Sequence, residues 1–481
     1  MRNEYALPEA RYFSLTWEIP SDFAGMTTAF LRRNRAFERL GAQVVDVLTF
    51  DAALHYPALE AGLRGRGLLT PAARILNLWD WLRTHPEPPQ PGFTAPDSFA
   101  PLAPLAEYET ASRDGAVLTR ARRDAAGEIA QIDYYRGDGT LLASDRRDIR
   151  RSIVLCDAWG RPARSWSSAG AFYRDWIDRV RAGERSVMIV DSKTVARFML
   201  AYRRRDVTTV HVLHGSHRGE GGEGVRASRS EVIERLDAFD LVVTLTESQR
   251  RDLLAMPKPA RNIVAIPNSV DLPVERRDTP RDRGGIAVLA SLIPRKRVSH
   301  AIKATAAVHE ATPHPVALTV YGDGPQRPKL ESLIGRLGAG GFVTLAGHVP
   351  DAEQALATSS MLLLTSHSEG FGLVLIEAMA NGCLPIAYDV PYGPADVIED
   401  GVNGFLVPAA DVEALAAKIR LVLELGDDEL ERMRESARRR AAEFSDEAVV
   451  LKWSAALGRR EGAASRLGRF AHRVERRLRR G

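Results

Sequence analysis

Between Met361 and Gly382 the chain reads Met-Leu-Leu-Leu-Thr, then Ser-His-Ser-Glu-Gly-Phe-Gly, then Leu-Val-Leu-Ile-Glu-Ala-Met-Ala-Asn-Gly. A short unbroken apolar run of this kind is a strand buried on both faces, as in a parallel sheet. The second apolar run starts after Gly372, and Asn381-Gly382 suit the left-handed turn that closes a helix. The order is strand, glycine-rich turn, helix. It points to an α/β class in which helices cover a parallel sheet. It also sets free backbone N–H groups and the positive end of a helix at the turn, where an anion docks.

The same alternation runs through most of the chain. A strand at Tyr12–Trp17 and a turn at Pro20–Gly25 lead into an amphipathic helix over Thr27–Leu40, and a second strand follows at Val44–Leu48. Further strands are predicted at Val187–Val190, Thr208–Leu213, Leu241–Thr244 and Ile263–Ile266. A second α/β half begins near Ile286–Ala290 and continues at Val316–Tyr321, Phe342–Leu345, Met361–Thr365 and Leu384–Ala387. Pro86–Pro104 and Asp278–Gly285 read as linkers. From Leu105 to Trp166 the pattern changes to polar-alternating hairpin strands, Val117–Arg122, Ile129–Tyr135 and Leu141–Asp145, parted by glycine turns. The expected organisation is two doubly wound, Rossmann-like domains facing a cleft: residues 1–104 with 166–277, interrupted by a β insertion at 105–165, and then 278–457. A basic tail spans 458–481. Ligands of such domains bind at the carboxyl ends of the strands.

Composition removes several classes. Two cysteines, Cys156 and Cys383, in 481 residues exclude a disulfide framework and fit a reducing cytoplasm. No apolar run approaches the roughly 20 residues of a membrane-spanning helix, and Met1–Pro8 lacks the apolar core of a signal peptide. Of the net charge of +4, the tail from Arg459 to Arg480 supplies nine arginines against Glu461 and Glu475, a local +7 that leaves the rest of the chain at −3. Leu467, Phe470, Val474 and Leu478 recur there at helical spacing, so a basic amphipathic helix is one reading and a solvated terminus the other. The functional reading is attraction to an anionic membrane surface, at the inner face of the cell membrane, or to a polyanionic acceptor. No nucleic-acid partner is expected, because stacking aromatics are not interleaved with the arginines.

Candidate chemistry gathers at strand ends. Glu369 lies on the glycine turn beside Gly370 and Gly372, which permit close backbone approach, and Glu377 is the lone charge of its helix, where a sugar hydroxyl pair is a fitting partner. Arg295, Lys296 and Arg297 offer cations for a diphosphate. His214, where a strand meets a Gly loop, is the first histidine candidate and His217 the second; for each, a structural histidine is the competing reading. Asp191 and Lys193 end another strand, with a helix N-cap as the alternative for Asp191 or Ser192. The histidine spacing lacks the cysteines or acids of a zinc site, and no metal is expected.

These residues resemble a known family. Glu369-Gly-Phe-Gly-Leu-Val-Leu-Ile-Glu377, with Tyr321-Gly-Asp-Gly-Pro325, Gly347-His-Val349 and Gly401-Val-Asn-Gly404 around it, is similar to the retaining glycosyltransferases of family 4, which have the GT-B fold. The resemblance implies a nucleotide-sugar donor, a UDP-sugar, held by Glu377 at the ribose and Glu369 at the sugar, with Gly370, Phe371, Gly372 and Leu373 around them and no cofactor. The family usually clamps the diphosphate with an arginine and, five positions on, a lysine; here Lys296 matches the lysine and Ser291 stands at the arginine position. Gly25 matches part of the N-terminal glycine loop. The β insertion resembles that of wall teichoic acid α-glycosyltransferases and of transferases acting on serine-rich adhesins. That implies a poly(glycerol phosphate) or poly(ribitol phosphate) acceptor, or a protein acceptor, and self-association through the insertion. The expected activity is transfer of glucose or N-acetylglucosamine, with His214, Glu369 and Lys296 as its catalytic residues. A non-catalytic partner subunit is the alternative that Ser291 favours.

Overall fold

The computed structural model describes residues 4–20, 23, 25–103, 108–148, 150–219, 224–273, 281–349 and 352–459. The basic tail beyond Arg459 lies outside them. Among the described residues, nineteen strands form three sheets. The first contains β1 (Arg11–Leu15), β2 (Val45–Thr49) and β3 (Ile75–Asn77). Next in the chain come β4 (Glu109–Arg113), β5 (Ala116–Arg123), β6 (Ile129–Tyr135), β7 (Leu141–Arg146), β8 (Ser152–Cys156) and β9 (Pro162–Trp166). The first sheet is completed by β10 (Ser186–Val190), β11 (Val207–Leu213), β12 (Leu241–Thr244) and β13 (Ile263–Ala265), in the order β13-β12-β11-β10-β1-β2-β3. The last six strands are β14 (Asp282–Leu289), β15 (Ala317–Tyr321), β16 (Val343–Gly347), β17 (Ser359–Leu364), β18 (Leu384–Asp389) and β19 (Phe405–Pro408), in the order β16-β15-β14-β17-β18-β19.

This last sheet is parallel throughout. Its chain order runs outward from β14 to one edge and then restarts from β17 toward the other, so β14 and β17 are neighbours at a topological switch point. The loops leaving their carboxyl ends flank the crevice where such sheets bind ligands. Those loops are Ala290–Arg297 and Thr365–Gly372, the two segments singled out by sequence. The first sheet reverses in the same way between β1 and β10, which pair in parallel. Gly25 and Asp191–Lys193 follow those two strands.

Strands β4 to β9 form an antiparallel meander in chain order. The meander is docked on the short helix Leu78–Thr84. Trp79 stacks on Tyr134 with ring centroids 3.4 Å apart, and Asp80 binds Arg113 at 2.8 Å. The chain parts into two compact units, one of Glu9–His211 with Ala238–Asp240, the other holding Val212–Asp237 and the chain from Leu241 onward. In the first, Ile19, Phe30, Leu31, Val47 and Leu63 fill a core under the helix Met26–Gly41.

One expectation needs correction. Asp278–Gly285 read as a linker, yet Asp282–Gly285 belong to β14, where Asp282 pairs with Ser359 and Gly285 with Ala317. The glycines there answer to packing: a Cβ on Gly284 would lie 1.9 Å from the Pro315 carbonyl oxygen. Strands β3, β4, β8, β9 and β19 were not anticipated.

Candidate active site

The turn after β17 carries Glu369, which is buried to 8% exposure. A buried carboxylate needs a partner, and Lys296 supplies it with Nζ 2.6 Å from Oε1. Arg295 donates to the Ser368 carbonyl at 2.8 Å and sits 3.8 Å from the other Glu369 oxygen. Arg297 donates to His367 Nδ1 at 3.0 Å. Thr365 Oγ1 lies 3.0 Å from the carbonyl oxygens of both Lys296 and Arg297. The loop after β14 is thus tied along its length to the loop after β17. Ser291, at the position where the family has an arginine, is exposed. Gly372 caps the helix Leu373–Ala380 with φ 81°, and Glu377 is half-buried on that helix.

Two residues of this turn pack closely against other parts of the protein. Phe371, expected near a donor, is buried with its ring 5.8 Å from Phe444. Gly370 makes its close approach to protein: a Cβ there would fall 2.2 Å from the His214 carbonyl oxygen and 2.8 Å from Gly215 Cα. The structure thereby brings the His214 loop directly against the Glu369 turn.

His214 is partly exposed on that loop, while His217 is buried. The His217 ring stacks on Tyr392 with centroids 5.6 Å apart, and burial pushes its pKa down to about 4. His211 Nδ1 lies 2.9 Å from the Val190 carbonyl oxygen. Among the described residues no group of three or more His, Cys, Asp or Glu is arranged to hold a metal ion.

Against this geometry, residues 275–440 match the family described as glycosyl transferases group 1. Over that span the chain is similar to a group 1 glycosyltransferase domain. The matched span contains both loops of the switch point. Over 307 residues the chain is 33% identical to an exopolysaccharide phosphotransferase of Streptomyces coelicolor, covering 61% of this chain and 31% of that protein. It is 24% identical over 337 residues to the poly(glycerol-phosphate) alpha-glucosyltransferase of Bacillus subtilis, covering 69% of this chain and 46% of that one. The chain therefore spans from under a third to under half of these two relatives. Its fold is GT-B, the fold of S. aureus TarM, whose variant in complex with fondaparinux, alpha-GlcNAc-glycerol and UDP superposes with a TM-score of 0.79. That match has 19% identity and covers 93% of this chain and 100% of TarM.

The acid turn has a brace that sequence reasoning missed. Tyr392 N donates to the Glu369 carbonyl at 3.3 Å, and a Cβ on Gly393 would fall 2.1 Å from the Phe371 carbonyl oxygen. The Tyr392 hydroxyl donates to Asp252 at 2.5 Å, and Arg218 Nε lies 2.9 Å from the same carboxylate and 3.0 Å from the hydroxyl. Burial raises the Asp252 pKa, but the Tyr392 hydroxyl and then the Arg218 guanidinium outweigh it and hold the carboxyl below its usual value. One turn earlier on the helix Glu247–Leu254, Ser248 N donates to Asp396 at 3.0 Å, and Gln249 Nε2 donates to the Gly215 carbonyl at 3.1 Å. This helix is a platform for both the 214–218 loop and the 392–396 segment. Residues 140 and 174 positions apart carry no local spacing that a sequence could show.

The remaining candidates lie in the unit of Glu9–His211. Gly25 caps the helix Met26–Gly41 with φ 57°, and nothing lies within 4 Å of where its Cβ would be. Both Asp191 oxygens accept from the Arg33 guanidinium at 2.9 Å in a buried pair. Ser192 caps the helix Lys193–Met199, and Lys193 is exposed.

Proposed function

We propose that this chain is a retaining, nucleotide-sugar-dependent hexosyltransferase that moves glucose or N-acetylglucosamine from a UDP-sugar to a hydroxyl of a polyol-phosphate polymer. The observation that carries the reading is the Lys296–Glu369 pair, 2.6 Å apart at the switch point of a group 1 domain. A diphosphate is a stronger partner for Lys296 than one carboxylate, and sugar hydroxyls then satisfy Glu369. Glu377 holds the ribose, and the positive end of the helix Leu373–Ala380 faces the phosphates. Arg295 and Arg297 add positive charge in place of an arginine at Ser291. His214 sits beside the sugar.

In transfer, the bond from sugar C1 to the diphosphate oxygen breaks, and a bond to the acceptor oxygen forms on the same face. The acceptor proton leaves with UDP. The transition state separates a cationic sugar from a departing diphosphate, so stabilising the leaving group is the main catalytic contribution, and no metal ion enters this reading. The names of the B. subtilis relative and of the TarM complex support the glucosyl or N-acetylglucosaminyl donor and the polyol acceptor. We assign residues 278–457 to the donor, residues 1–104 with 166–277 to the acceptor, and the 105–165 insertion to acceptor binding or self-association. The enzyme would work in the cytoplasm at the inner face of the membrane.

The test incubates the protein with UDP-glucose and UDP-N-acetylglucosamine, scores UDP release, and then adds poly(glycerol phosphate) or poly(ribitol phosphate). Labelled polymer is expected, with transfer abolished in Glu369→Ala and Lys296→Ala. Absence of UDP release from any nucleotide sugar, or full turnover in either variant, overturns the reading.

A further inference from the structure

Among the described residues, most arginines withdrawn from solvent are committed to an acid or a carbonyl. Buried Arg33 grips Asp191, and of the half-buried ones Arg83 binds Asp80 and Arg281 donates to the Leu356 and Ser359 carbonyls. Arg226 and Arg229 depart from this pattern. Both are half-buried, at the start of the helix Ala227–Ile233 that follows the His214 loop. Among the described residues, neither guanidinium has a carboxylate or carbonyl partner, and Arg226 Nε is fully buried without a hydrogen bond. Burial, and then the charge of Arg226, lower the pKa of Arg229. The nearby acid, Asp252, is already engaged by Arg218 and Tyr392.

Two like charges partly withdrawn from water, with no counter-charge among the described residues, are costly, and a ligand that supplies an anion offsets that cost. The position fits. Arg229 Nη2 would be 2.8 Å from a Cβ on Gly215, so its guanidinium lies against the same residue whose Cα would be 2.8 Å from a Cβ on Gly370 of the acid turn. Arg226 is tied to the same loop, its N–H donating to the His217 carbonyl at 2.9 Å. Planar guanidinium forks match phosphate oxygens in a bidentate way.

We propose that Arg226 and Arg229 form a phosphate subsite beside the Glu369 turn, which binds a phosphate group of one of the two substrates. The choice of substrates rests on the function proposed above; the phosphate chemistry does not. The source is either the donor diphosphate or a phosphodiester of the acceptor chain.

Removing an uncompensated charge does not threaten folding, so Arg226→Met with Arg229→Met is a usable double variant, and Arg229→Lys keeps the charge while losing the fork. Three measurements on the full chain separate the outcomes. Inorganic pyrophosphate should raise the melting temperature of the wild type but not of the double variant. This arm is independent of transfer, so it supports the subsite even if no UDP-sugar is ever turned over. Loss of about tenfold in UDP affinity, with the KM for glycerol-phosphate oligomers unchanged, assigns the subsite to the donor. A rise of about tenfold in the acceptor KM, with UDP affinity and donor hydrolysis unchanged, assigns it to the acceptor. A double variant that matches the wild type in pyrophosphate shift, UDP affinity and acceptor KM, in a chain that does transfer sugar, overturns the subsite and leaves the transferase reading intact.

Discussion

Lys296 and Glu369 are interdependent, and the two substitutions that separate them differ in consequence. Lys296→Ala leaves a carboxylate at 8% exposure with only Arg295, 3.8 Å away, to balance it. Breaking a fully buried pair costs roughly 3–5 kcal/mol. Lys296 retains 17% of its side-chain exposure, so about 1–3 kcal/mol is expected here, read from urea midpoints, together with loss of transfer. Glu369→Gln keeps an oxygen for Lys296 to donate to, and its stability should fall by less than about 1 kcal/mol while transfer is still lost. A Glu369→Gln enzyme with normal turnover would show that Glu369 only holds Lys296 in place. His217 makes a separate prediction. Its folded pKa of about 4 lies below the ordinary 6.5, so between those values the unfolded chain binds a proton that the folded chain does not. Stability therefore falls as pH drops from 6.5 to 4, by up to about 3 kcal/mol. The groups around the ring are Asp252, Arg218, Arg229 and Tyr392. Asp252, held below its usual value, gives up its contribution only at lower pH. His217→Phe keeps the stack on Tyr392 and should flatten the slope of urea midpoint against pH over that window. An unchanged slope assigns the acid sensitivity to other groups.

At the scale of elements, the glycine turn after β17 is constrained by the protein on both sides. Gly370→Ala would press a Cβ into the His214 carbonyl, a backbone atom that cannot swing away. The turn or the loop must then shift, and a displacement near 1 Å at reacting groups can cost about 10²-fold in rate. Transfer should drop by that order with a lower melting temperature. Gly335 is the control: it lies inside the helix Arg327–Arg336 with open space around its Cβ position. Gly335→Ala should add about 0.5–1 kcal/mol of stability with activity unchanged. The elements also show what a sequence reveals. β17 and β18 stood out because a parallel sheet buries nearly every residue in them. β3 has three residues, too few for a period, and β4 is exposed at nearly every position, so neither leaves an apolar signature. In the site, Glu369 and Lys296 were legible because each belongs to a local run with its own chemistry. The joint held by Tyr392, Asp252 and Arg218 was not, because folding alone brings those positions together. The Phe371 ring packs against Phe444, a contact that its place in a glycine turn does not reveal.

For the molecule as a whole, charge is divided between the folded part and the tail. The tail from Arg459 holds +7, and the remainder of the chain is −3. An acidic body does not attract a polyanionic acceptor, so the tail is the natural source of long-range attraction to a polyol-phosphate chain or an anionic lipid surface. Attraction of this kind releases counterions and weakens steeply with salt, whereas the donor site is local and far less sensitive. Deleting residues 460–481 should therefore leave UDP-sugar hydrolysis and the melting temperature unchanged. In the full chain, raising salt from about 50 to 200 mM should raise the acceptor KM by about tenfold or more; in the shortened chain the rise should stay within about threefold. Two controls separate the partners. Vesicles containing anionic lipid test the membrane role, since they should bind the full chain and not the shortened one. A neutral glycerol acceptor tests the polymer role, since its use should be indifferent both to salt and to the deletion. If the shortened chain keeps the full salt dependence with poly(glycerol phosphate), the polyanion is held by the folded domains, and Arg226 and Arg229 become the first place to look for it.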